Sequence, residues 1–567
     1  MTYFYKKQFH SDAYFVALLL LAMSIPTSRF TMSVFQFTIL GLWLWSGFSF
    51  EVTFRFFRKA SFFRAVWCFL GYMLRLTRNN LVTKFALFYQ NKVAMIFVSL
   101  FLLHLVGLIH TSDYQYALKD LRTKLPLLLL PIVLSTMERI SFNRMKLLLI
   151  LYVLTVFTGT GFGFIEYLKQ EFTDIRQISV FINPVRFSLN IVFAVFILIW
   201  FVFYDHTLNW KWRIAAAALA VWLTGFLFLM ESAIGMLSVF LIIVGLLLVR
   251  LFFLSTIKVR VLTVVVLVVL PVIGYFYLNK VIRELTTPPP VDYALLDNHT
   301  KLGNPYVHDT IHFGIEDGKY VGLYLSLDEL QEAWDKRSDL KFNGRDNANQ
   351  ELKYTLIRFM TSLNLRKDAE GLAGMTDKEV RMVENGIANI NYVTSPSLRT
   401  RISKILLGYT IYTSLNDPNG SSVMQRVEYL KASFHIIRQH FWIGVGTGDL
   451  PFIFRKTYEE IESPLQLQWR WRSHNQYLSV FIAFGVFGFA WFVFALFYVY
   501  FKSGMHRNYF YSVFFAILLL SMLTEDTIES QDGVTFFAFF TCFFLFAVKR
   551  PEEEIPKDDA IQLNHVS

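Results

Sequence analysis

The chain has 567 residues, of which 54% are hydrophobic, 17% aromatic and only 17% charged. A soluble protein of this length carries more charge and fewer apolar runs, so a soluble fold is excluded. The formal net charge of +11 does not mark a nucleic-acid binder, because the basic residues sit in short loops between apolar runs, where they set membrane orientation.

Apolar stretches close to the ~20 residues that cross a bilayer recur along the sequence. About twelve spans are expected, near 13–26, 30–50, 93–110, 125–138, 147–165, 188–204, 214–230, 233–254, 261–278, 477–500, 509–523 and 534–548. Met1 to His10 lacks a short apolar region followed by a small-residue cleavage site, so the first span reads as a retained anchor. Lys6 and Lys7 precede it, and Arg55, Arg58, Lys59, Arg64, Arg75, Arg78 and Lys84 follow the second span. Further basic loops are Arg139/Arg144/Lys146, Lys211/Arg213, Lys258/Arg260, Lys502/Arg507 and Lys549/Arg550. With the spans above, all of these fall on one side, and the positive-inside rule puts both termini in the cytoplasm. Cys68 lies in a basic loop and Cys542 in the last apolar run, which implies no disulfide framework.

The expected organisation is all-α: 1–278 as nine spans, 279–476 as one large, mainly helical loop domain, 477–548 as the last three spans, and 549–567 as a polar, disordered cytoplasmic tail. Three loops opposite the basic ones also carry cations. Thr111 to Lys124 holds Lys119, Arg122 and Lys124; Glu166 to Phe187 holds Lys169, Arg176 and Arg186; the third is the long loop itself. These positions run against the orientation rule and point either to a function or to salt bridges with acids such as Asp120, Glu166 and Glu171. In the long loop, Pro288–Pro290 breaks the chain, and Ser326/Glu329 and Thr376/Glu379 have capping-box spacing. An amphipathic helix from about Met424 to Gln439 puts Val427, Leu430, Phe434 and Ile437 on one face. No alternating strand pattern of useful length is visible.

Four segments on that opposite side carry chemistry. Arg186 opens the sixth span and Arg426 opens the amphipathic helix. A guanidinium offers a rigid fork of donors that suits the oxygens of lipid diphosphates. The competing roles are snorkelling for Arg186 and pairing with Glu428 for Arg426. The turn Gly444-Val-Gly446-Thr-Gly448-Asp449 lacks the Lys-Ser/Thr of a nucleotide loop. Its glycines permit a tight turn or a helix cap, or approach of backbone N–H groups to a diphosphate. His474, with Arg470 and Arg472 before it and Asn475 after it, stands at the mouth of the tenth span. An imidazole there can act as general base toward an attacking hydroxyl, or merely hydrogen-bond its neighbours. Gly444, Gly446, Gly448, Asn475, Arg472 and Arg122 stand as supporting residues. No second histidine or carboxylate sits at metal-ligand spacing beside His474, and no metal or cofactor is expected.

These residues resemble the O-antigen ligase and O-antigen polymerase superfamily of bacterial membrane glycosyltransferases. Members show an arginine opening a helix, a Gly-x-Gly-x-Gly turn, and a His-Asn-x-Tyr-Leu motif entering a span with Gly-x-x-Gly. Here these are Arg426, Gly444/Gly446/Gly448, His474-Asn475-Gln476-Tyr477-Leu478 and Gly485-Val-Phe-Gly488. The resemblance implies a metal-independent, inverting transferase of the GT-C kind in the bacterial inner membrane, acting on its periplasmic face. It implies a glycan donor on undecaprenyl diphosphate held by Arg186 and Arg426, with His474 as the family histidine. The acceptor would be a lipid A core sugar, or, in a polymerase or a protein O-oligosaccharyltransferase, another repeat unit or a protein hydroxyl. Where many members read Ser-Arg-x-Gly at the start of the eighth span, this chain reads Glu231-Ser232-Ala233-Ile234-Gly235. A twelve-span transporter is the rival class, but the two similar halves and mid-span ionisable residues it calls for are missing from this sequence.

Overall fold

The computed structural model describes residues 7–59, 61–169, 175–253, 256–394 and 397–549. Lys6, Glu171, Arg550 and the rest of the expected tail lie outside the described residues.

The first half is helical throughout: α1 (Lys7–Ser24), α2 (Arg29–Leu44), α3 (Phe50–Lys59), α4 (Phe62–Gln90), α5 (Lys92–Val106), α6 (Tyr114–Lys124), α7 (Pro126–Thr136), α8 (Phe142–Lys169), α9 (Pro184–Phe203), α10 (Trp210–Leu229), α11 (Ala233–Phe253) and α12 (Ile257–Thr286). The second half begins with four short strands, β1 (Val307–Asp309), β2 (Ile315–Glu316), β3 (Lys319–Tyr320) and β4 (Gly322–Leu325). Helices α13 (Leu327–Arg337), α14 (Leu352–Ser362), α15 (Ala369–Ala373), α16 (Asp377–Glu384), α17 (Asn391–Thr394), α18 (Leu398–Leu415), α19 (Ser422–Gln439) and α20 (Leu450–Glu460) follow. The chain returns to apolar helices with α21 (Gln476–Lys502), α22 (Tyr509–Thr524) and α23 (Gln531–Cys542), the last extended by a π-turn through Ala547.

Among the described residues, α8, α9, α10, α11, α12 and α21 are long and apolar enough to cross a membrane, and a seventh span results if α4 and α5, bent 98° at Asn91, count as one. The other expected spans fall on the shorter helices α1, α2, α7, α22 and α23. An 11-residue helix such as α7 rises only ~16 Å, about half of a ~30 Å hydrocarbon core. Polar caps set where the helices begin. Asn91, Asp113, Asn183, Asn475, Asn508 and Ser530 each accept a hydrogen bond from the first turn of the helix that follows.

Helix α9 is the central pillar. It packs against α8, α10, α11 and α22, and Ser188 through Leu198 are buried without interruption. Phe193 meets Phe514 and Phe540 at ring-centroid distances of 5.1 and 4.9 Å, edge to face, an arrangement worth about 0.5–1.5 kcal/mol per pair beyond area burial. This packing leaves the first turn of α9 a rigid platform.

The segment between α12 and α21 divides by its cores. Leu325, Leu330, Trp334, Leu356, Phe359 and Val383 form a small core of their own, whereas Tyr429, Ala432, Ile436, Phe454 and Tyr458 of α19 and α20 belong to the core of the helical bundle. This segment is mainly helical and adds two short antiparallel pairs, β1 with β4 and β2 with β3. Strands of two to four residues are too short to show an alternating pattern. The capping box Thr376/Glu379 is formed. Ser326 caps α13 without a side-chain bond, and the Glu329 half of the box is also missing: Glu329 is taken by Thr300, Asn304 and the Ala369 amide at 2.7, 2.7 and 3.0 Å, and the Ser326 amide donates to the Lys367 carbonyl. Helix α19 is also turned from its expected face. Leu430 and Phe434 are 38% and 53% exposed, while Met424, Glu428, Tyr429, Ala432 and Ile436 are buried. The inward side of α19 carries a partnered acid as well as apolar residues, Glu428 being held by Tyr412, Lys431 and Ser463, so apolar periodicity alone does not mark it.

The orientation has a direct check. In a chain lacking Cys68 and Cys542, a cysteine at the exposed Asn347 should react with a membrane-impermeant thiol reagent from the periplasmic side, and one at the exposed Ser61 should not. The reverse labelling would invert the orientation.

Candidate active site

The start of α9 presents the first cation. Asn183 caps the helix and Pro184 occupies its first position, which fixes the turn that carries Arg186. Arg186 is buried and does not snorkel. One terminal nitrogen, Nη2, donates to the Asp526 carbonyl at 2.7 Å, while Nη1 is buried without a hydrogen-bond partner. Gly533 lies flat beside it: a Cβ there would stand 3.3 Å from the Arg186 guanidinium carbon and 1.8 Å from the Thr527 carbonyl oxygen.

The second cation and the histidine meet on one carboxylate. Arg426 Nη2 donates to Glu525 Oε1 at 2.6 Å, and His474 Nδ1 stands 3.5 Å from Glu525 Oε2. Burial pushes the Glu525 carboxyl up, but His474, Arg426 and Arg186 together outweigh it and hold its pKa below the usual carboxylate value. The expected alternative partner of Arg426, Glu428, is instead engaged by Tyr412, Lys431 and Ser463 at 2.5, 2.7 and 2.6 Å. The imidazole stacks on Tyr429, with centroids 5.3 Å apart and planes inclined 25°. His474 has φ 46°, a left-handed conformation that is uncommon away from glycine and concentrates at functional sites. Asn475 makes the conformation tenable, capping α21 through the Leu478 amide and donating to the Leu523 carbonyl at 2.8 Å.

The glycine turn is pinned to its neighbours through its backbone. The amides of Gly444, Val445, Gly446 and Thr447 donate to the carbonyls of His440, Ile482, Ala483 and Gly107, and that of Gly448 donates to Thr111 Oγ1. The five amides from Gly444 to Gly448 are thus paired within the protein, as a tight turn requires. The turn is wedged against a break in α21 at Gly485 (φ 64°, ψ −168°). A Cβ at Gly444 would lie 2.5 Å from the Ala483 backbone, and one at Gly485 2.2 Å from the Trp442 carbonyl oxygen. Asp449 accepts from the Ser112 and Asp113 amides at 2.8 and 3.0 Å, so it braces the loop before α6.

Arg472 turns away from His474 to Glu529 Oε2 at 3.3 Å. Glu529 also takes Lys124 Nζ at 2.8 Å and Gln476 Nε2 at 2.9 Å, and Lys124 reaches Asp120 at 2.5 Å, with His104 Nδ1 3.5 Å from the same carboxylate. On α6 it is therefore Lys124, 1% exposed, that faces the bundle. Arg122 is exposed and makes no ion pair among the described residues. Arg29, at the start of α2, forms a two-pronged bond to Asp532 at 2.7 and 2.8 Å. Four acids at the junction of two apolar helices, Glu525, Asp526, Glu529 and Asp532, are the signal that could have revealed this hub. At the start of α11, the buried Glu231 pairs with Lys404 of α18 at 3.1 Å. Among the described residues, no three His, Cys, Asp or Glu side chains stand together as a group able to hold a metal ion.

Residues 390–493 match the family model described as O-Antigen ligase, in agreement with the resemblance carried by Arg426, the glycine turn, His474 and the Gly485/Gly488 pair. No curated protein matches the chain.

The buried network makes a stability prediction. Burial raises the Glu529 carboxyl, but Lys124 and Arg472 outweigh it and hold its pKa far below the usual range. A depressed pKa contributes stability above the unfolded value of ~4.3, and that contribution falls away as the pH drops below it. Glu529→Gln should cost about 3–5 kcal/mol near neutral pH by stranding buried cations. In detergent melts the gap to the parent protein should narrow on acidification below pH ~4. A variant that melts with the parent at neutral pH would remove the network from the stability of the fold.

Proposed function

We propose that this chain is an O-antigen-ligase-type glycosyltransferase of the bacterial inner membrane, with both termini cytoplasmic and its site at the periplasmic face. It would move a glycan from undecaprenyl diphosphate to an acceptor hydroxyl, which we take to be on a lipid A core sugar because the large single loop suits a bulky acceptor. The observation that carries this reading is the single carboxylate of Glu525 standing between Arg426 and His474, with Arg186 anchored one residue away on Asp526.

In this reading the two guanidinium groups grip the diphosphate. Arg186 retains one unpartnered terminal nitrogen, and Arg426, with 42% of its side chain exposed, uses one nitrogen on Glu525 and keeps the rest of its fork. Fixed cations stabilise the charge that grows on the departing phosphate oxygen without reorganising at the moment of reaction. The acceptor oxygen attacks the anomeric carbon from the side opposite the leaving group, the carbon–oxygen bond to the diphosphate breaks with its electron pair, and the configuration inverts. The acceptor proton passes to His474. Glu525 at Nδ1 orients the ring and stabilises the imidazolium that forms, leaving Nε2 as the basic atom. The charge balance is supplied by arginine, so the step requires no metal.

Transfer by purified protein with a lipid-linked donor and an acceptor tests the roles. His474→Ala should insert normally and lose ~10²–10⁴ in rate. Arg186→Lys and Arg426→Lys keep the charge but lose the fork, and each should fall substantially. Near-normal rates in these variants would return the histidine to an interfacial role and the arginines to structural pairing.

The acceptor is decided in cells. A deletion strain should lose long-chain surface glycolipid and accumulate the lipid-linked donor. Loss of elongation that leaves single repeats on the surface would instead identify a polymerase.

A further inference from the structure

The end of the bundle opposite Arg186 and His474 holds a second site. A cavity of about 520 Å3 opens between the α4–α5 elbow, the end of α7 and the end of α21, lined among others by Gln90, Asn91, Lys92, Thr136, Tyr498 and Lys502. No carboxylate lines it. Lys92 and Lys502 are both exposed, and neither forms an ion pair among the described residues. Asn91 and Thr136 are spent within the protein, on the Ala94 amide and on Trp43 and the Ile132 carbonyl. The side chains of Gln90 and Tyr498 make no hydrogen bond among the described residues. Two cations and two polar groups thus share one cleft without a carboxylate in its lining.

The helix beside the cleft says what kind of surface covers it. The 98° bend between α4 and α5 lays α4 along the membrane plane when α5 runs across it. Over its first half α4 exposes Phe62, Phe63, Trp67 and Leu74 at 70%, 79%, 74% and 72%. Arg58, Arg64, Arg75 and Arg78 are exposed on α3 and α4, and Glu51 is the one acid from residue 51 to residue 91. Exposed aromatic rings interleaved with unpaired arginines on a helix lying in the plane are the pattern of an interfacial helix on an anionic leaflet.

We propose that the elbow of α4 and α5 seats the phosphate headgroup of an anionic phospholipid, gripped by Lys92 and Lys502, with α4 lying along the same leaflet. The phosphodiester anion matches the positive charge of the cleft, and acyl chains beside it match the exposed rings of α4. This site is independent of the glycan reading, since its test involves no transfer.

The test uses the full chain in a nonionic detergent, titrated with dioleoyl phosphatidylglycerol and followed by thermal melting. The midpoint should rise and saturate. Lys92→Gln/Lys502→Gln should abolish the rise, and Lys92→Arg/Lys502→Arg should keep it. If the double Gln variant does not fold, each single Gln replacement should raise the half-saturating lipid concentration about fivefold. An equal rise with phosphatidylcholine, or with inorganic phosphate alone, overturns the proposal, as does a rise retained in the Gln variants.

Discussion

The arrangement of this bundle end depends on neutralising buried and half-buried cations. A lone charge taken out of water is too costly to keep, so each guanidinium or ammonium there must find an acid or carbonyl in hydrogen-bonding reach. The short segment after α22, together with the first turn of α23, supplies them. Asp532 takes Arg29, the Asp526 carbonyl takes Arg186, Glu525 takes Arg426 and the edge of His474, and Glu529 takes Lys124 and Arg472. This junction thereby ties together α2, α6, α9, α19 and the entry to α21.

The pairs divide by what they leave over. Lys124 and Glu529 are enclosed, with side chains 1% and 5% exposed, and hold the frame. Arg186 and Arg426 keep donors in reserve, and His474 faces Glu525 through Nδ1 at 3.5 Å, without a hydrogen bond. Rigidity comes from elsewhere. The glycine turn lodges in the break of α21 at Gly485, and α9 is locked by aromatic packing around Phe193. Arg186 and His474 are thus mounted on elements fixed by close packing.

The outward faces of α4 and α19 are mixed rather than apolar. On α4, Phe62, Phe63 and Trp67 share the surface with Arg64, Arg75 and Arg78, and on α19 Phe434 is exposed together with Lys431 and Arg438. What α19 hides is a partnered acid, Glu428, held by Tyr412, Lys431 and Ser463. At the far end of the bundle Lys92 and Lys502 line a cleft that has no carboxylate in its lining.

Much was legible in the residues themselves. Length and apolar runs dictate a helical membrane protein, caps such as Asn183 and Asn475 mark where the functional helices begin, and the chemistry of guanidinium and imidazole singles out Arg186, Arg426 and His474. These are local properties, encoded within a few positions of each residue. Other features were decided only by the tertiary structure, because they join positions hundreds of residues apart. Sequence could nominate the Glu525–Asp526 pair but not bring it to Arg186, Arg426 and His474. It could not tell that Lys124 rather than Arg122 turns inward, since adjacent cations on a helix differ only in which face the bundle covers. It could not tell that amides of the glycine turn are paired with α21 and with Gly107 and Thr111 beyond α5, since a backbone donor finds its partner only when another element is packed against it.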